Sequence, residues 1–211
     1  GTLLIALAMF NTQAWAAALY YVVHSTLIAA SFYLFCGWMT SQRGAFKDHL
    51  KVAPKIKQEK AAAFTYFIIA LMMAGLPPFS GFLGKVFILQ ATAETPYQGW
   101  IIAVILIVSL LSIIALTRVG FILFWRATPP EEDLKETAYA EYQALPEVAP
   151  KRNDTAIYVL LGALMTYVVF ASPIQTYTVA TAQQIQNHAL YNQTILKNDA
   201  QGRPISVQPY D

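Results

Sequence analysis

Residues 75–90 read GLPPFSGFLGKVFILQ and follow the apolar stretch AAAFTYFIIALMMA at 61–74. As one straight helix, residues 61–92 would be about 48 Å long, whereas the apolar core of a bilayer is about 30 Å thick. Pro77 and Pro78 interrupt this stretch, because proline lacks a backbone N–H and its ring clashes with the preceding helical turn. The pattern therefore predicts two half-helices joined by a break, with Lys85 in the second half.

The composition of the whole chain is that of a membrane protein. Hydrophobic residues make up 56% of the 211 residues and charged residues only 12%, whereas soluble domains carry about 25% charged residues. We therefore predict an all-α membrane protein, a polytopic bundle of transmembrane helices with one discontinuous helix. The net charge of +2 gives no indication of nucleic acid, so we expect the lipid bilayer and no nucleic acid as a partner. The single cysteine, Cys36, has no partner for a disulfide within the chain, and we interpret it as a small buried apolar residue.

Five apolar segments and a polar tail organise the chain. We predict a transmembrane part over residues 1–172 and an extramembrane tail over 173–211, in which spaced Ile185, Ala189 and Ile195 are typical of an amphipathic helix. The first segment is too short to span a bilayer, and the chain begins without Met, so we interpret the sequence as the C-terminal portion of a longer protein. The predicted segments are 1–10 (partial), 15–39, 61–92 (broken), 99–125 and 155–172.

Lysine and arginine counts predict the orientation in the membrane. The 40–60 and 126–154 loops hold ten of these residues, the turns at 11–14 and 93–98 hold none, and the tail holds two. By the positive-inside rule, both long loops are cytoplasmic and the tail lies outside. The acidic residues of the second loop, Glu131, Glu132, Asp133 and Glu136, do not alter this, because acids contribute little to the rule.

Two charged side chains, Lys85 and Arg118, lie within predicted spans. A charge near the bilayer centre costs about 2.5–3.5 kcal/mol even on the mildest scale. Lys85 lies nine residues before Glu94, at a depth of about 13 Å. The bland alternative is a lysine whose ammonium snorkels to the interface. The adjacent break favours a functional site, since broken helices at mid-membrane are where transporters place ion sites.

His24 and Arg118 are further candidates with different chemistry. His24 lies at a depth similar to that of Lys85, with Ser25 and Thr26 beside it, and such a group can pass protons along hydrogen bonds. The alternative is a histidine that only packs between helices. Arg118 does not deprotonate, so we assign it to structure or to electrostatic tuning of a nearby lysine rather than to proton transport. The sequence has no phosphate-binding loop, no CxxC pair and no His/Cys cluster with metal-ligand spacing, so we expect no cofactor, no metal and no enzymatic chemistry.

The broken segment resembles a motif of the antiporter-like membrane subunits of respiratory complex I and of Mrp-type multi-subunit sodium/proton antiporters. In that family a discontinuous helix reads roughly G-x-P-x-x-x-G-F-x-x-K, and Gly75, Pro77, Gly81, Phe82 and Lys85 fill it.

A second stretch, LYYVVHSTLIAASFYLFCG, is similar to the preceding helix of the family, with His24 at the family's histidine. Ile28 stands where complex I versions often carry a lysine, and this departure favours the D subunits of Mrp antiporters. The PPFSGFLGK wording and the RVGFILFW ending of the next span also favour them.

The resemblance implies the last helices of a 14-helix antiporter-like fold, a multi-subunit complex in the inner membrane of a bacterium, and transport of protons and sodium. It implies that Lys85 exchanges a proton with one side and that His24 relays protons toward it. Ser80 and the carbonyls freed by Pro77 and Pro78 would hold water beside Lys85. Two alternatives stay open: a proton-pumping subunit of complex I or of a membrane-bound hydrogenase, and a structural scaffold in which Lys85 is inert.

Overall fold

The computed structural model describes residues 1–43, 46–53, 55–56, 58–93, 95–126 and 151–187. These residues are helical with no β-strand among them, as the sequence predicts. The acidic cluster at 131–136, and Ala189 and Ile195 of the tail, lie outside the described residues. The helices in the described ranges are α1 (Thr2–Ala8), α2 (Thr12–Gln42), α3 (Glu59–Ala74), α4 (Ser80–Ala91), α5 (Gln98–Gly120) with a π-helical continuation (Phe121–Trp125), α6 (Lys151–Val169) and α7 (Ala171–Gln186).

Helix α2 is the centre of the structure and packs against α1, α3, α4, α6 and α7. It begins at Asn11, whose side chain accepts a hydrogen bond from the Ala14 N–H at 2.7 Å and so caps the helix. Its first turns are rich in buried alanines, which allow helices to approach closely. The core lies between α2, α3 and α6, where Phe35, Ile69 and Leu164 are among the buried side chains.

Two helices of the described ranges are long and apolar enough to cross a membrane, α2 and the 28 residues from Gln98 to Trp125. Residues 155–169 and α7 form a third candidate, but they are bent by 78° relative to each other. Helix α5 is almost entirely exposed, with Ile105 as its buried residue. The exposed apolar surface is that of a protein that lies among lipids and other helices.

Several observed helix ends differ from the segment boundaries predicted from the sequence. Helix α2 starts at Thr12, because the Asn11 cap shortens the expected turn to one residue. Helix α6 starts at Lys151, within the predicted second loop. Residues 171–186 of the predicted tail region form α7, which packs against α2 and reaches Thr12 through a hydrogen bond to Gln186. The position of α7 outside the membrane stays a prediction.

A buried arginine organises the described part of the loop after α2. Arg43 is 5% exposed and donates hydrogen bonds to the carbonyl oxygens of Lys47, His49 and Lys51. Burial lowers the pKa of this guanidinium, which stays charged because its ordinary value is so high. Cys36, in contrast to the interpretation from sequence, is exposed on α2.

Candidate functional site

The chain between α3 and α4 is not helical and contains Pro77 and Pro78. Helix α3 ends at Gly75, whose φ of +73° is in the left-handed region, where glycine carries no steric penalty. The N–H groups of Gly75 and Leu76 bond back to the carbonyls of Met72 and Leu71, each at 3.1 Å. The carbonyl of Ala74 is left available for a side chain.

Lys85 supplies that side chain. Its Nζ donates to the Ala74 carbonyl oxygen at 2.6 Å and to Ser109 Oγ of α5 at 2.9 Å. The ammonium therefore sits at the C-terminal end of α3, where the partial negative charge of the helix end stabilises a cation. No ion pair joins it to a carboxylate within the described part of the chain. Lys85 is thus held by two uncharged oxygens.

Gly75 is required by Lys85 as well as by the backbone. A Cβ atom at position 75 would lie 2.8 Å from Lys85 Nζ and 2.9 Å from its Cε. Real Cβ atoms essentially never show contacts this short, so a side chain at position 75 would displace the lysine. The glycine of the break and the lysine of α4 therefore form one unit.

His24 binds the other side of the break. Its Nδ1 lies 2.8 Å from the hydroxyl of Ser80, the first residue of α4, and both side chains are buried. Gly81 makes room for the ring, because a Cβ there would lie 2.7 Å from His24 Nε2 and 2.6 Å from the Met72 carbonyl oxygen. The sequence thus expects Ser80 beside Lys85, whereas the structure places its hydroxyl on His24.

A cavity of about 350 Å³ lies next to His24, between α2, α3 and α5. Its polar lining comes from Tyr21, His24, Ser25 and Ser112, among apolar residues such as Ile28 and Leu116. A polar cavity of this size is large enough for several water molecules, each of which occupies about 30 Å³. The space beside His24 is therefore suited to hydration.

The remaining predicted residues lie further from the two titratable groups. The Thr26 hydroxyl donates to Val22 O within α2 and lies on an exposed face, as does Arg118 on α5. Ser25 lines the cavity but also donates to Val22 O. Pro77 and Pro78 are exposed in the break. No direct hydrogen bond joins His24 to Lys85 in the described ranges.

Sequence reasoning missed Ser109 and the carbonyl of Ala74 as partners of Lys85. A hydroxyl within an apolar span is a weak signal, because serine usually donates to the carbonyl four residues earlier in its own helix. Ser109 and Ser112 both do so, to Ile105 O and Val108 O. Nothing in the sequence distinguishes the one that also meets Lys85.

A comparison with protein families decides the family. The family described as NADH:quinone oxidoreductase/Mrp antiporter, TM, matches residues 1–114. The chain belongs to this family. The matched residues include His24, the break, Lys85 and Ser109, whereas Arg118 lies beyond them.

The curated relatives of this antiporter family member are bacterial D subunits. The chain is 29% identical over 197 residues to a protein from Alkalihalophilus pseudofirmus that is named as the D subunit of a Na(+)/H(+) antiporter, and 28% identical over 198 residues to one of the same name from Bacillus subtilis. It is 27% identical over 224 residues to a protein of Rhizobium meliloti that is named as the D subunit of a probable K(+)/H(+) antiporter. Each match covers 93% of this chain but only 37–39% of the relative.

Proposed function

We propose that this chain is part of a D-type subunit of a multi-subunit cation/proton antiporter in the cell membrane of a bacterium. One observation carries the proposal. The two titratable side chains singled out by the sequence, His24 and Lys85, are bound to opposite ends of one helix break, through Ser80 and the Ala74 carbonyl respectively. The names of the relatives support a cation/proton antiporter over a scaffold.

The proposed mechanism moves protons along the break. A neutral imidazole has one N–H donor and one acceptor nitrogen, so His24 can receive a proton at one nitrogen and release one at the other. The Ser80 hydroxyl and water in the cavity would connect these nitrogens to their surroundings. Lys85 would accept a proton and release it to one side of the membrane, and Arg118 would only tune the local potential.

Protons and a monovalent cation are the proposed cargo, and we propose neither a cofactor nor an enzymatic reaction. Two relatives are named for sodium and one for potassium, so sodium is the first cation to test and potassium the second. The antiport would need the other subunits of the complex. A redox-driven pump of the complex I type is the second candidate, because the family description covers both classes.

The test is cation-dependent proton transport in everted membrane vesicles. The intact protein is assembled with its partner subunits, and wild type is compared with Lys85→Ala at equal assembled protein. Since exchange requires the amine, we expect Lys85→Ala to lose sodium-dependent exchange while the complex still assembles. Gly37→Ala is a suitable control, because a Cβ at this position on α2 meets no atom within 4 Å.

Three outcomes would change the proposal. Full exchange in Lys85→Ala would remove the lysine from the proton path. Exchange driven by potassium but not by sodium would leave the antiporter class and change the cation. A wild-type complex that responds to neither cation would favour the redox-driven pump.

A further inference from the structure

We propose that Ser109 of α5 is a positioning residue for Lys85, a role that rests on the function proposed above. The hydroxyl holds the lysine nitrogen at the end of α3 whether the nitrogen is protonated or neutral. It also joins α5 to the side chain that carries the proton. Ser109 does not itself transfer the proton in this proposal.

The geometry around Ser109 leaves its lone pairs free for the lysine. Its hydroxyl donates to Ile105 O at 2.7 Å, and Lys85 Nζ donates to the same hydroxyl oxygen at 2.9 Å. Ile105 is the buried residue of α5 and shares a core cluster with Ile88 of α4. The contact therefore lies one helical turn from the point where α5 packs against the lysine's own helix.

The chemistry of the two oxygens explains why a hydroxyl is needed. A carbonyl oxygen such as that of Ala74 only accepts hydrogen bonds, whereas a serine hydroxyl accepts and donates. After Lys85 loses its proton, the amine has a lone pair that the Ala74 carbonyl cannot satisfy. Ser109 can satisfy it by rotating its hydroxyl hydrogen from Ile105 O to the lysine nitrogen. The nitrogen then keeps its position through the cycle.

Three substitutions separate the hydroxyl from the shape of the side chain. Ser109→Ala removes the hydroxyl, Ser109→Val removes it and adds volume, and Ser109→Thr has the shape of the valine variant with the hydroxyl retained. We expect about tenfold slower exchange in the alanine and valine variants, which corresponds to one hydrogen bond to a charged group. The threonine variant should exchange within about threefold of wild type. Equal rates for threonine and valine would overturn the proposal.

Tyr66→Phe is the matched control for a merely structural contact of α5. The Tyr66 hydroxyl of α3 donates to Leu116 O of α5 at 2.6 Å, so this variant also removes a hydrogen bond that holds α5 but leaves Lys85 untouched. We expect near wild-type exchange at equal assembled protein. A loss as large as that of Ser109→Ala would show that any loosening of α5 suffices, and would contradict a specific role for Ser109.

A stability measurement tests the contact separately from transport. The thermal midpoint of the purified complex is measured for Ser109→Ala in the wild-type background and in a Lys85→Met background. We expect the substitution to lower the midpoint only where the lysine is present, because the lost bond needs both side chains. Equal shifts in both backgrounds would overturn the proposal. If Lys85→Ala retains exchange, the proposed function fails, but this cycle still reports on the Ser109–Lys85 contact.

Discussion

At the scale of single residues, the break is built so that a lysine replaces a missing backbone donor. The Ala74 carbonyl has no partner in α3 beyond the helix end, and Lys85 Nζ binds it at 2.6 Å. This contact exists only because position 75 has no Cβ. A substitution in the break therefore acts on the lysine.

Gly75→Ala should slow exchange strongly. The added methyl would lie 2.8 Å from Lys85 Nζ, and alanine at a positive φ costs about 1 kcal/mol in addition. We expect at least roughly tenfold slower exchange and a lower thermal midpoint, measured on vesicles and on the purified complex. Gly37→Ala should leave both values unchanged or raise the midpoint slightly. Wild-type exchange in Gly75→Ala would mean that Lys85 is free to move without loss.

His24→Gln distinguishes proton transfer from packing. Glutamine can bond to Ser80 but cannot titrate, so a packing histidine should tolerate it. If His24 relays protons, the initial rate of exchange should fall by roughly a hundredfold, as for other positioned proton-transfer groups, with the amount of assembled complex unchanged. A variant that keeps its rate would assign His24 to helix packing.

At the scale of helices, the structure depends on caps and on contacts between distant segments. Asn11 caps α2 and also donates through Nδ2 to Ala91 O at 3.2 Å. One side chain thus fixes the start of the central helix and the end of α4. Thr12 then joins the same end of α2 to Gln186 of α7.

Asn11→Ala should destabilise the complex by about 1–2 kcal/mol, the usual cost of losing an N-cap. Because the same residue holds the end of α4, exchange should fall by a smaller factor than in Gly75→Ala. Thermal unfolding and vesicle assays measure the two effects. Asn11→Ser retains the cap but not the amide donor, so an intermediate midpoint is expected. A midpoint for Asn11→Ala equal to that of wild type would show that the cap contributes nothing measurable.

The sequence predicts the helical class and marks the break, His24 and Lys85, because prolines and charges are conspicuous in apolar segments. It does not predict what these side chains bind. Ser80 is 56 residues from His24, and Ser109 is 24 residues from Lys85; which hydroxyl meets which group depends on how the helices cross. Helix α7 is predicted only in part, since the polar residues after Pro173 indicate a tail rather than a helix that packs against α2.

At the scale of the whole molecule, the basic loops predict one orientation in the membrane. After Cys36→Ala, a single cysteine is introduced by Lys47→Cys or by Thr95→Cys and treated with a membrane-impermeant maleimide. We expect labelling at 95 in intact cells and at 47 only in everted vesicles, because the basic loop is cytoplasmic. Labelling of position 47 in intact cells would reverse the orientation of every segment.

Within the described ranges, the oxygens that hold Lys85 carry no charge. Each proton that arrives or leaves thus changes the charge of the site by a full unit, with no carboxylate beside it to balance the change. At the mid-membrane depth predicted from the sequence, about half of the transmembrane voltage acts on that charge. A potential of 100 mV would then bias protonation by about 1 kcal/mol, a roughly fivefold change in the ratio of the two states. The antiporter's proton step would therefore respond to the electrical state of the cell as well as to its ion gradients.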